Sequence, residues 1–207
     1  MPRPTYIAVA GNIGCGKSTL VDFLCRTYKG VEPFFEPNAT NPYLTDFYAD
    51  MPRWAFHSQV YFLTHKFRIQ RELERQRRRG TVVQDRTIYE DAEVFAAYLH
   101  QRRCITDRDW QVYRDLYQTI VTSLEPPDLL IYLKASVRTI RKRIRLRARP
   151  EEQQIPIAYL RRLNALYNQW FSAYARSPTV VLETDKLDYL SDLVDRLDVR
   201  RTIETYL

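Results

Sequence analysis

Apolar residues gather in five short runs along the chain, and longer stretches with a helical repeat separate these runs. The runs cover residues 6–10, 31–36, 81–85, 129–133 and 179–183. Between them, apolar residues recur every three or four positions, as in Phe56, Val60, Leu63 and Phe67, in Ile88, Ala92, Phe95 and Leu99, and in Leu160, Leu163, Tyr167, Trp170 and Tyr174. Apolar strands that alternate with helices are typical of a parallel sheet covered on both faces. The pattern therefore predicts an α/β fold with three layers.

A glycine-rich segment directly follows the first apolar run. It consists of Gly11, Asn12, Ile13, Gly14, Cys15, Gly16, Lys17, Ser18 and Thr19. The segment fits the pattern G-x-x-x-x-G-K-[ST], in which glycines let backbone N–H groups face a phosphate at the start of a helix. In such a loop Lys17 can reach the β- and γ-phosphates, and the Ser18 hydroxyl can ligate Mg²⁺. The segment predicts a site for a nucleoside triphosphate.

The bulk composition of the chain is that of a soluble globular protein. Its 207 residues suffice for one domain with a substantial core, and 45% hydrophobic with 28% charged residues is ordinary. No apolar run approaches the roughly 20 residues of a membrane-spanning helix, and the first run begins too early to leave room for a signal peptide. The three cysteines lack metal-type spacing, which fits reduced thiols. We expect a cytoplasmic protein without a membrane partner.

The net charge of +7 raises the alternative of a nucleic-acid partner. The positive charge is concentrated at residues 71–79 and 138–149, on or beside predicted helices, where a solvated helix face also explains it. The chain has no helicase-like second domain and no alternation of aromatic and basic residues suited to single strands. We therefore expect no nucleic-acid partner, and a nucleic-acid-binding NTPase is kept as an alternative function.

Polar residues follow the first three predicted strands at the edge where parallel strands end. The phosphate loop follows the first strand, Glu36 ends the second, and Asp85 and Arg86 end the third. Because ligands gather at the carboxyl ends of parallel strands, we expect these groups to converge. Asp85 could help to hold Mg²⁺ or could cap the next helix, although Thr87 can serve as that cap. Glu36 could be a partly desolvated general base or an ordinary acid beside a proline turn.

Several longer motifs occur together and in a fixed order. They are the phosphate loop, Phe35-Glu36-Pro37 with Asn41-Pro42-Tyr43-Leu44, Arg53-Trp54-Ala55-Phe56-His57-Ser58-Gln59, Asp85-Arg86-Thr87-Ile88-Tyr89-Glu90-Asp91, and Arg147-Ala148-Arg149-Pro150-Glu151-Glu152-Gln153. With them the chain closely resembles the deoxynucleoside kinase family, above all its bacterial deoxyadenosine/deoxyguanosine kinase branch. The resemblance implies a single P-loop NTPase domain over residues 1–207. It also implies a five-stranded parallel sheet in the order 2-3-1-4-5 and an arginine-rich lid around residues 143–155.

The resemblance implies transfer of the ATP γ-phosphate to the 5′-hydroxyl of a deoxynucleoside. In that reaction Glu36 would be the general base, and Arg86 would bind near the accepting oxygen and the phosphoryl group. Asp85 and Ser18 would hold Mg²⁺. These roles are chemically reasonable, because an oriented alcohol beside a carboxylate need not be ionised beforehand. Lys17, Mg²⁺ and the arginines would stabilise the charge on the phosphoryl oxygens.

The resemblance also assigns residues to the nucleoside. Gln59 would read the base with both ends of its amide, and Asp91 would accept from an exocyclic amine or pair with Lys66. Lys66 stands where the family commonly has arginine, which puts base selectivity in question. For Gln59 and Lys66 a solvated helix face is the alternative. We expect a purine deoxynucleoside, with deoxycytidine as a further candidate.

Four further residues complete the expected nucleoside pocket. Tyr48 and Glu152 match family residues that contact the sugar 3′-hydroxyl, which would favour nucleosides that carry this group. Trp54 and Phe95 would form aromatic walls, although either could belong to the core.

The arginine cluster after the fourth strand would form the lid over ATP. Arg143, Arg147 and Arg149 match the family's phosphate contacts, whereas Arg138 and Arg141 fit a solvated face and Arg145 has no family role. Because residues at alternate positions cannot share one face of a helix, we expect the helix to end near Arg147. The family resemblance also implies a homodimer. A nucleoside monophosphate kinase such as thymidylate kinase is the other alternative function, and it would need further cationic contacts for an acceptor phosphate.

Overall fold

The computed structural model describes residues 5–35, 41–190 and 192–206. Its strands are β1 (Tyr6–Ala10), β2 (Glu32–Phe34), β3 (Val82–Asp85), β4 (Leu129–Lys134) and β5 (Thr179–Glu183). All neighbouring strands pair in parallel, in the order β2-β3-β1-β4-β5, which confirms the predicted sheet and its strand order. The second strand is shorter than the predicted 31–36, and Glu36 lies outside the described residues.

The helices cover both faces of this sheet and account for the predicted three layers. They are α1 (Lys17–Thr27), α2 (Leu44–Ala49), α3 (Met51–Arg77), α4 (Ile88–Glu90), α5 (Ala97–Gln101), α6 (Asp107–Val121), α7 (Val137–Arg147), α8 (Pro150–Gln153), α9 (Ile157–Ala173) and α10 (Leu193–Glu204). A π-helical segment, Asp91–Ala96, joins α4 to α5. Within the described residues, no helix is both long enough and apolar enough to cross a membrane.

The sheet core explains why the phosphate loop and β3 lie side by side. Every residue of β1 is buried, as expected for a central parallel strand. The register pairs Val9 of β1 with Asp85 of β3, and the Arg86 amide donates to the Val9 carbonyl at 3.0 Å. The ends of β1 and β3 are therefore level, so the loop after β1 adjoins the Asp85–Arg86 turn.

The buried face of α3 differs from the predicted apolar stripe. Of that stripe only Leu63 is fully buried, whereas Phe56, Val60 and Phe67 are partly exposed and pack against a second apolar cluster. The buried face instead includes the polar residues Ser58, Gln59, Lys66 and Gln70. The apolar repeat thus packs against a core cluster, whereas the alternative of a solvated face for Gln59 and Lys66 is wrong, because α3 buries both side chains.

Two other predictions about helices are confirmed. The stripe Ile88, Ala92, Phe95 and Leu99 is buried, although it passes through the π-helical segment, which was not predicted. The helix after β4 ends at Arg147, where Ala148 adopts a left-handed conformation with φ 54°. The residues that follow therefore leave the direction of α7 and can fold over the end of the sheet.

Candidate active site

The phosphate loop has the geometry that its glycines predict. Gly11 has φ 143°, and a Cβ atom at this position would lie 2.7 Å from both the Cys15 Sγ and the Leu133 carbonyl oxygen. The loop then leads into α1, whose N-terminal amides and dipole favour an anion. Lys17 is buried, and its Nζ donates to the Gly11 and Asn12 carbonyls at 3.0 Å each. The Lys17 ammonium thus lies next to the first two residues of the loop.

Asp85 and Ser18 meet beside this loop, as the resemblance implies for metal ligands. The Ser18 hydroxyl donates to Asp85 Oδ2 at 2.5 Å. The other carboxylate oxygen, Oδ1, is buried and has no hydrogen-bond partner among the described residues. One hydroxyl and one carboxylate with a spare oxygen fit Mg²⁺, which takes oxygen ligands and keeps positions for water and phosphate. The described part of the chain contains no cluster of three or more His, Cys, Asp and Glu that could hold a metal.

Arg86 adopts an unusual backbone conformation at the end of β3. Its φ of 61° is left-handed, which costs a residue with a side chain about 1–2 kcal/mol. Lys66 stabilises this turn, because its Nζ donates to the Asp85 carbonyl at 3.2 Å and to the Arg86 carbonyl at 2.7 Å. The Arg86 guanidinium lies over the Phe95 ring, 4.6 Å from its centroid. The turn therefore holds a largely buried cation in the wall of the cavity that the loop also lines.

Thr87 begins α4 with a capping box, which confirms that Thr87 rather than Asp85 caps this helix. The Glu90 carboxylate accepts from the Thr87 amide at 2.8 Å and also from the Gly11 amide at 3.1 Å. Burial raises the pKa of Glu90, while the nearby Arg86 and Lys17 charges oppose that rise. The pattern T-x-x-E signals the cap in the sequence, but nothing local signals the bond to Gly11.

One cavity of about 360 Å³ joins the loop to the space under α2 and α3. It is lined by Ile13, Gly14, Gly16, Lys17, Ser18, Thr19, Phe35, Leu44, Phe47, Tyr48, Gln59, Phe62, Asp85, Arg86, Asp91, Phe95, Arg147, Arg149, Glu152 and Tyr159. Most predicted site residues are thus brought together from positions far apart in the sequence. Phe35, Leu44, Phe47, Phe62 and Tyr159 are lining residues that sequence reasoning missed.

Some predicted site residues lie away from this lining. Trp54 is partly buried and stacks on Tyr43 with ring centroids 5.7 Å apart, outside the described lining. Lys66 lies behind the Asp85–Arg86 backbone. Gly11, Asn12 and Cys15 shape the loop from within. The predicted base Glu36 follows the lining residue Phe35 in the sequence but lies outside the described residues.

The end of the cavity away from the loop carries the residues expected to read a nucleoside. Gln59 is 4% exposed, and its Oε1 has no hydrogen-bond partner among the residues that the structure describes. Asp91 is buried on the π-helical segment, and Tyr48 lies on α2. A buried amide oxygen without a partner is costly unless a ligand donates to it. This end of the cavity is therefore suited to a ligand with an N–H donor.

The lid residues after α7 close one side of the cavity. Arg147 donates to the Glu152 carboxylate, and Arg149 lies 3.6 Å from the other oxygen of that carboxylate. Arg143 does not line this cavity. Its guanidinium donates to the Cys15 carbonyl at 2.8 Å and to the Thr184 carbonyl at 2.6 Å. Arg143 therefore fastens the phosphate loop to the end of β5.

A second cavity of about 550 Å³ opens on the other side of the loop. Its lining includes Gly14, Cys15, Gly16, Thr19, Arg143, Leu146, Arg147, and residues 184–190. The two cavities share three residues of the loop and Arg147. A ligand whose phosphates lie on the loop can thus extend into either cavity.

Comparison with known proteins agrees with this geometry. The family model "Deoxynucleoside kinase" matches residues 7–207. The deoxyadenosine/deoxycytidine kinase of Bacillus subtilis (strain 168) is 35% identical over 93% of this chain and 88% of its own. The deoxyguanosine kinase of Lactobacillus acidophilus is 36% identical over 93% and 86% of the two chains. The solved structure of deoxyadenosine kinase from M. mycoides with bound dATP superposes with a TM-score of 0.82 at 27% identity, covering 97% of this chain and 99% of that one.

Proposed function

Since the chain belongs to the deoxynucleoside kinase family and so transfers a phosphoryl group from ATP to a deoxynucleoside, we propose that it prefers purine deoxynucleosides and also accepts deoxycytidine. The observation that carries this proposal is the shared cavity. Lys17 and Arg86 line one end of it, and Gln59 and Asp91 line the other.

The base preference follows from the chemistry of Gln59 and Asp91. The amide of Gln59 offers an acceptor and a donor side by side, which complements the amine and ring nitrogen of adenine or cytosine. The Asp91 carboxylate accepts from an exocyclic amine, which thymine does not have. The relatives named for deoxyadenosine, deoxycytidine and deoxyguanosine support this choice.

The phosphate end of the cavity supports the transfer step itself. The loop amides, Lys17 and Arg86 place positive charge around the oxygens of the transferred group, where charge spreads in the transition state. Ser18 and Asp85 would hold Mg²⁺, which would supply positive charge to neutralise the phosphate oxygens. Glu36 follows the lining residue Phe35 in the sequence, and we propose that its carboxylate accepts the 5′-hydroxyl proton. Glu36→Gln should lower kcat by about 10²–10⁴ with little change in nucleoside affinity, and an unaltered kcat would contradict this role.

We place the donor's own nucleoside in the second cavity, with its phosphates on the loop and Arg147 at the junction. The acceptor would then enter the first cavity, where Tyr48 and Glu152 meet the sugar 3′-hydroxyl. Substrates without that hydroxyl should bind more weakly, because the half-buried Tyr48 and the buried Glu152 would lose a partner.

The deciding experiment compares initial rates for the four natural deoxynucleosides and their 5′-monophosphates with Mg·ATP. We expect turnover of deoxyadenosine, deoxyguanosine and deoxycytidine, and little turnover of thymidine or any monophosphate. Lys17→Ala should abolish the activity. Lys29→Ala, a change at an exposed lysine just beyond α1, is the matched control and should leave the activity intact. Turnover confined to monophosphates would contradict the proposal and indicate a nucleoside monophosphate kinase.

We further propose that the protein acts as a cytoplasmic homodimer whose only ligands are small molecules, as the family resemblance implies. Light scattering at micromolar concentration should give twice the mass of one chain. Binding to single-stranded polynucleotides should be absent even at low salt, where electrostatic affinity is greatest. Tight, salt-sensitive polynucleotide binding would instead favour a nucleic-acid-binding NTPase.

A further inference from the structure

Glu90 is a fully buried carboxylate that no step of the proposed reaction uses. Its exposed fraction is 0%, and both of its oxygens are engaged. Oε1 accepts from the Gly11 amide and the Tyr167 hydroxyl, both at 3.1 Å. Oε2 accepts from the Thr87 amide at 2.8 Å and from the Thr87 hydroxyl at 3.1 Å. One side chain thus joins two backbone segments that are 79 and 3 residues away in the sequence.

Each of these backbone segments carries one of the two cations at the phosphate end. Gly11 is held by Glu90 at its amide, and its carbonyl accepts from Lys17 Nζ at 3.0 Å. The peptide between Arg86 and Thr87 is held by Glu90 at its amide, and its carbonyl accepts from Lys66 Nζ at 2.7 Å. That peptide follows Arg86, which has the left-handed backbone conformation and lines the same cavity as the loop. Glu90 therefore lies between the supports of Lys17 and Arg86.

We propose that Glu90 is a positioning residue that fixes the separation between the phosphate loop and Arg86. Phosphoryl transfer depends on donors placed to within a fraction of an ångström, so a support shared by both cations acts directly on their common geometry. This inference rests on the proposed roles of Lys17 and Arg86.

The donor pattern around Glu90 shows why its carboxylate cannot be replaced by an amide. Each oxygen faces one backbone N–H group, and such a group can only donate. A glutamine would turn its NH₂ group toward either the Gly11 amide or the Thr87 amide, whichever way it rotates. The hydroxyls of Tyr167 and Thr87 can turn to accept, but the backbone cannot. Glu90→Gln must therefore leave one of the two segments without its bond.

Glu93 provides a matched control on the same stretch of chain. Its carboxylate accepts from the Tyr117 hydroxyl at 2.6 Å, from Trp170 Nε1 at 2.7 Å and from Arg176 at 2.7 Å. Tyr117 lies on α6, Trp170 on α9 and Arg176 in the segment between α9 and β5, and none of them belongs to the phosphate loop. Glu93→Gln should thus weaken the fold without moving the cations.

The test compares Glu90→Gln with Glu93→Gln in three measurements: kcat/KM for ATP, the affinity for inorganic tripolyphosphate, and the affinity for deoxyadenosine without ATP. Glu90→Gln should lower the first by about 10- to 100-fold and the second by about 10-fold, the range expected for an unmade buried hydrogen bond. The deoxyadenosine affinity should change by less than about threefold. Glu93→Gln should lower the unfolding temperature while all three measurements stay within about twofold of wild type.

An unchanged kcat/KM for ATP in Glu90→Gln would overturn the proposal, as would equal losses in both variants. If Glu90→Gln does not fold, Glu90→Asp takes its place. Its shorter side chain keeps the charge but reaches only one of the two amides, so the same pattern is expected. Tripolyphosphate binding needs no nucleoside, so it tests Glu90 even if the wild-type protein phosphorylates none.

A measurement on the unsubstituted protein completes the test. Because one carboxylate holds both segments, hydrogen exchange at the Gly11 and Thr87 amides should slow together when tripolyphosphate binds. Slowing at Gly11 alone would show that the loop and the Arg86 turn are not joined through Glu90, and would overturn the proposal.

Discussion

The two ends of the cavity are built in different ways. In the phosphate half, defined as residues 11–19, 85–87 and 90, polar side chains hold backbone groups of neighbouring segments, as Lys17 holds two loop carbonyls and Glu90 holds two amides. The nucleoside half is defined as Phe47, Tyr48, Gln59, Phe62, Asp91, Phe95, Glu152 and Tyr159. There the lining consists of side chains from separate helices, and Gln59 has an amide oxygen without a partner among the described residues.

This difference matches what each half has to recognise. A triphosphate tail is the same in every donor, so its site can be assembled in advance from backbone and buried charge. A base must be distinguished from other bases, and discrimination comes from polar atoms that stay unsatisfied unless the right ligand arrives. We therefore expect substitutions in the phosphate half to affect all substrates alike, and substitutions in the nucleoside half to affect them selectively.

Among the substitutions that compare the two halves, Asp85→Asn in the phosphate half should have the largest effect. The change removes the negative charge beside Ser18 that would hold Mg²⁺, and metal stabilisation of a phosphoryl group is worth several kcal/mol. We expect kcat to fall by about 10²–10⁴ for every deoxynucleoside, with a higher Mg²⁺ concentration needed for half-maximal rate. Asp115→Asn on the exposed face of α6 is the control. If kcat fell for deoxynucleosides of one base only, the expectation that the phosphate half affects all substrates alike would be contradicted.

Gln59→Leu should give the next largest effect, and it should act through nucleoside binding. Loss of the amide should raise KM for deoxyadenosine by about 10- to 100-fold, while KM for ATP stays constant. Because Oε1 is buried without a partner in the described structure, an apolar side chain should also keep or raise the unfolding temperature. A fall in both stability and ATP affinity would show that Gln59 supports the fold rather than the base.

The phosphate half could largely be predicted from the sequence because its parts are local. The loop is nine consecutive residues, the Thr87 cap is set by a residue three positions on, and the end of α7 follows from the spacing of its arginines. The five strands were recognisable from their apolar runs, while their order came from the family resemblance. What escaped prediction here is Glu90, because its bond to Gly11 joins positions 79 residues apart.

The nucleoside half could be predicted only through the resemblance. The residues Phe47, Phe62 and Tyr159 look like any apolar core positions, and no local signal distinguishes a cavity wall from a packed interior. The polar pattern on α3 left a solvated face open for Gln59 and Lys66, but tertiary structure turns both side chains inward. The π-helical segment that carries Asp91 has no signal in the sequence either.

Lys66 belongs to neither list of residues, and its role tests where the phosphate half ends and the nucleoside half begins. Its sequence match assigns it to the base, but its Nζ donates to the Asp85 and Arg86 carbonyls and its side chain is 1% exposed. These bonds favour a role in the phosphate half. Lys66→Met should lower kcat by about 10-fold and equally for deoxyadenosine and deoxycytidine, because the two charged hydrogen bonds that support the Asp85–Arg86 turn are lost.

The ratio of the two rates is the measurement that matters for Lys66. Lys66→Arg, which keeps the charge but has a planar fork, should restore part of kcat and leave the ratio of purine to cytosine activity unchanged. A shifted ratio would move Lys66 into the nucleoside half and support its predicted contact with the base.

The smallest effect should come from Trp54→Ala, which sharpens the outer limit of the nucleoside half. Trp54 stacks on Tyr43, and Arg53 lies 5.1 Å above its ring, and neither of these partners lines the cavity. Phe62, eight positions further on, lines the cavity. We expect Trp54→Ala to change KM for deoxyadenosine by less than about twofold, as for a partly exposed site away from the ligand. Phe62→Ala should raise that KM by about 10-fold, because a ring that packs against the nucleoside is lost. If Trp54→Ala instead raised KM as much as Phe62→Ala, the aromatic wall predicted from the sequence would extend beyond the described cavity and the nucleoside half would have to include the start of α3.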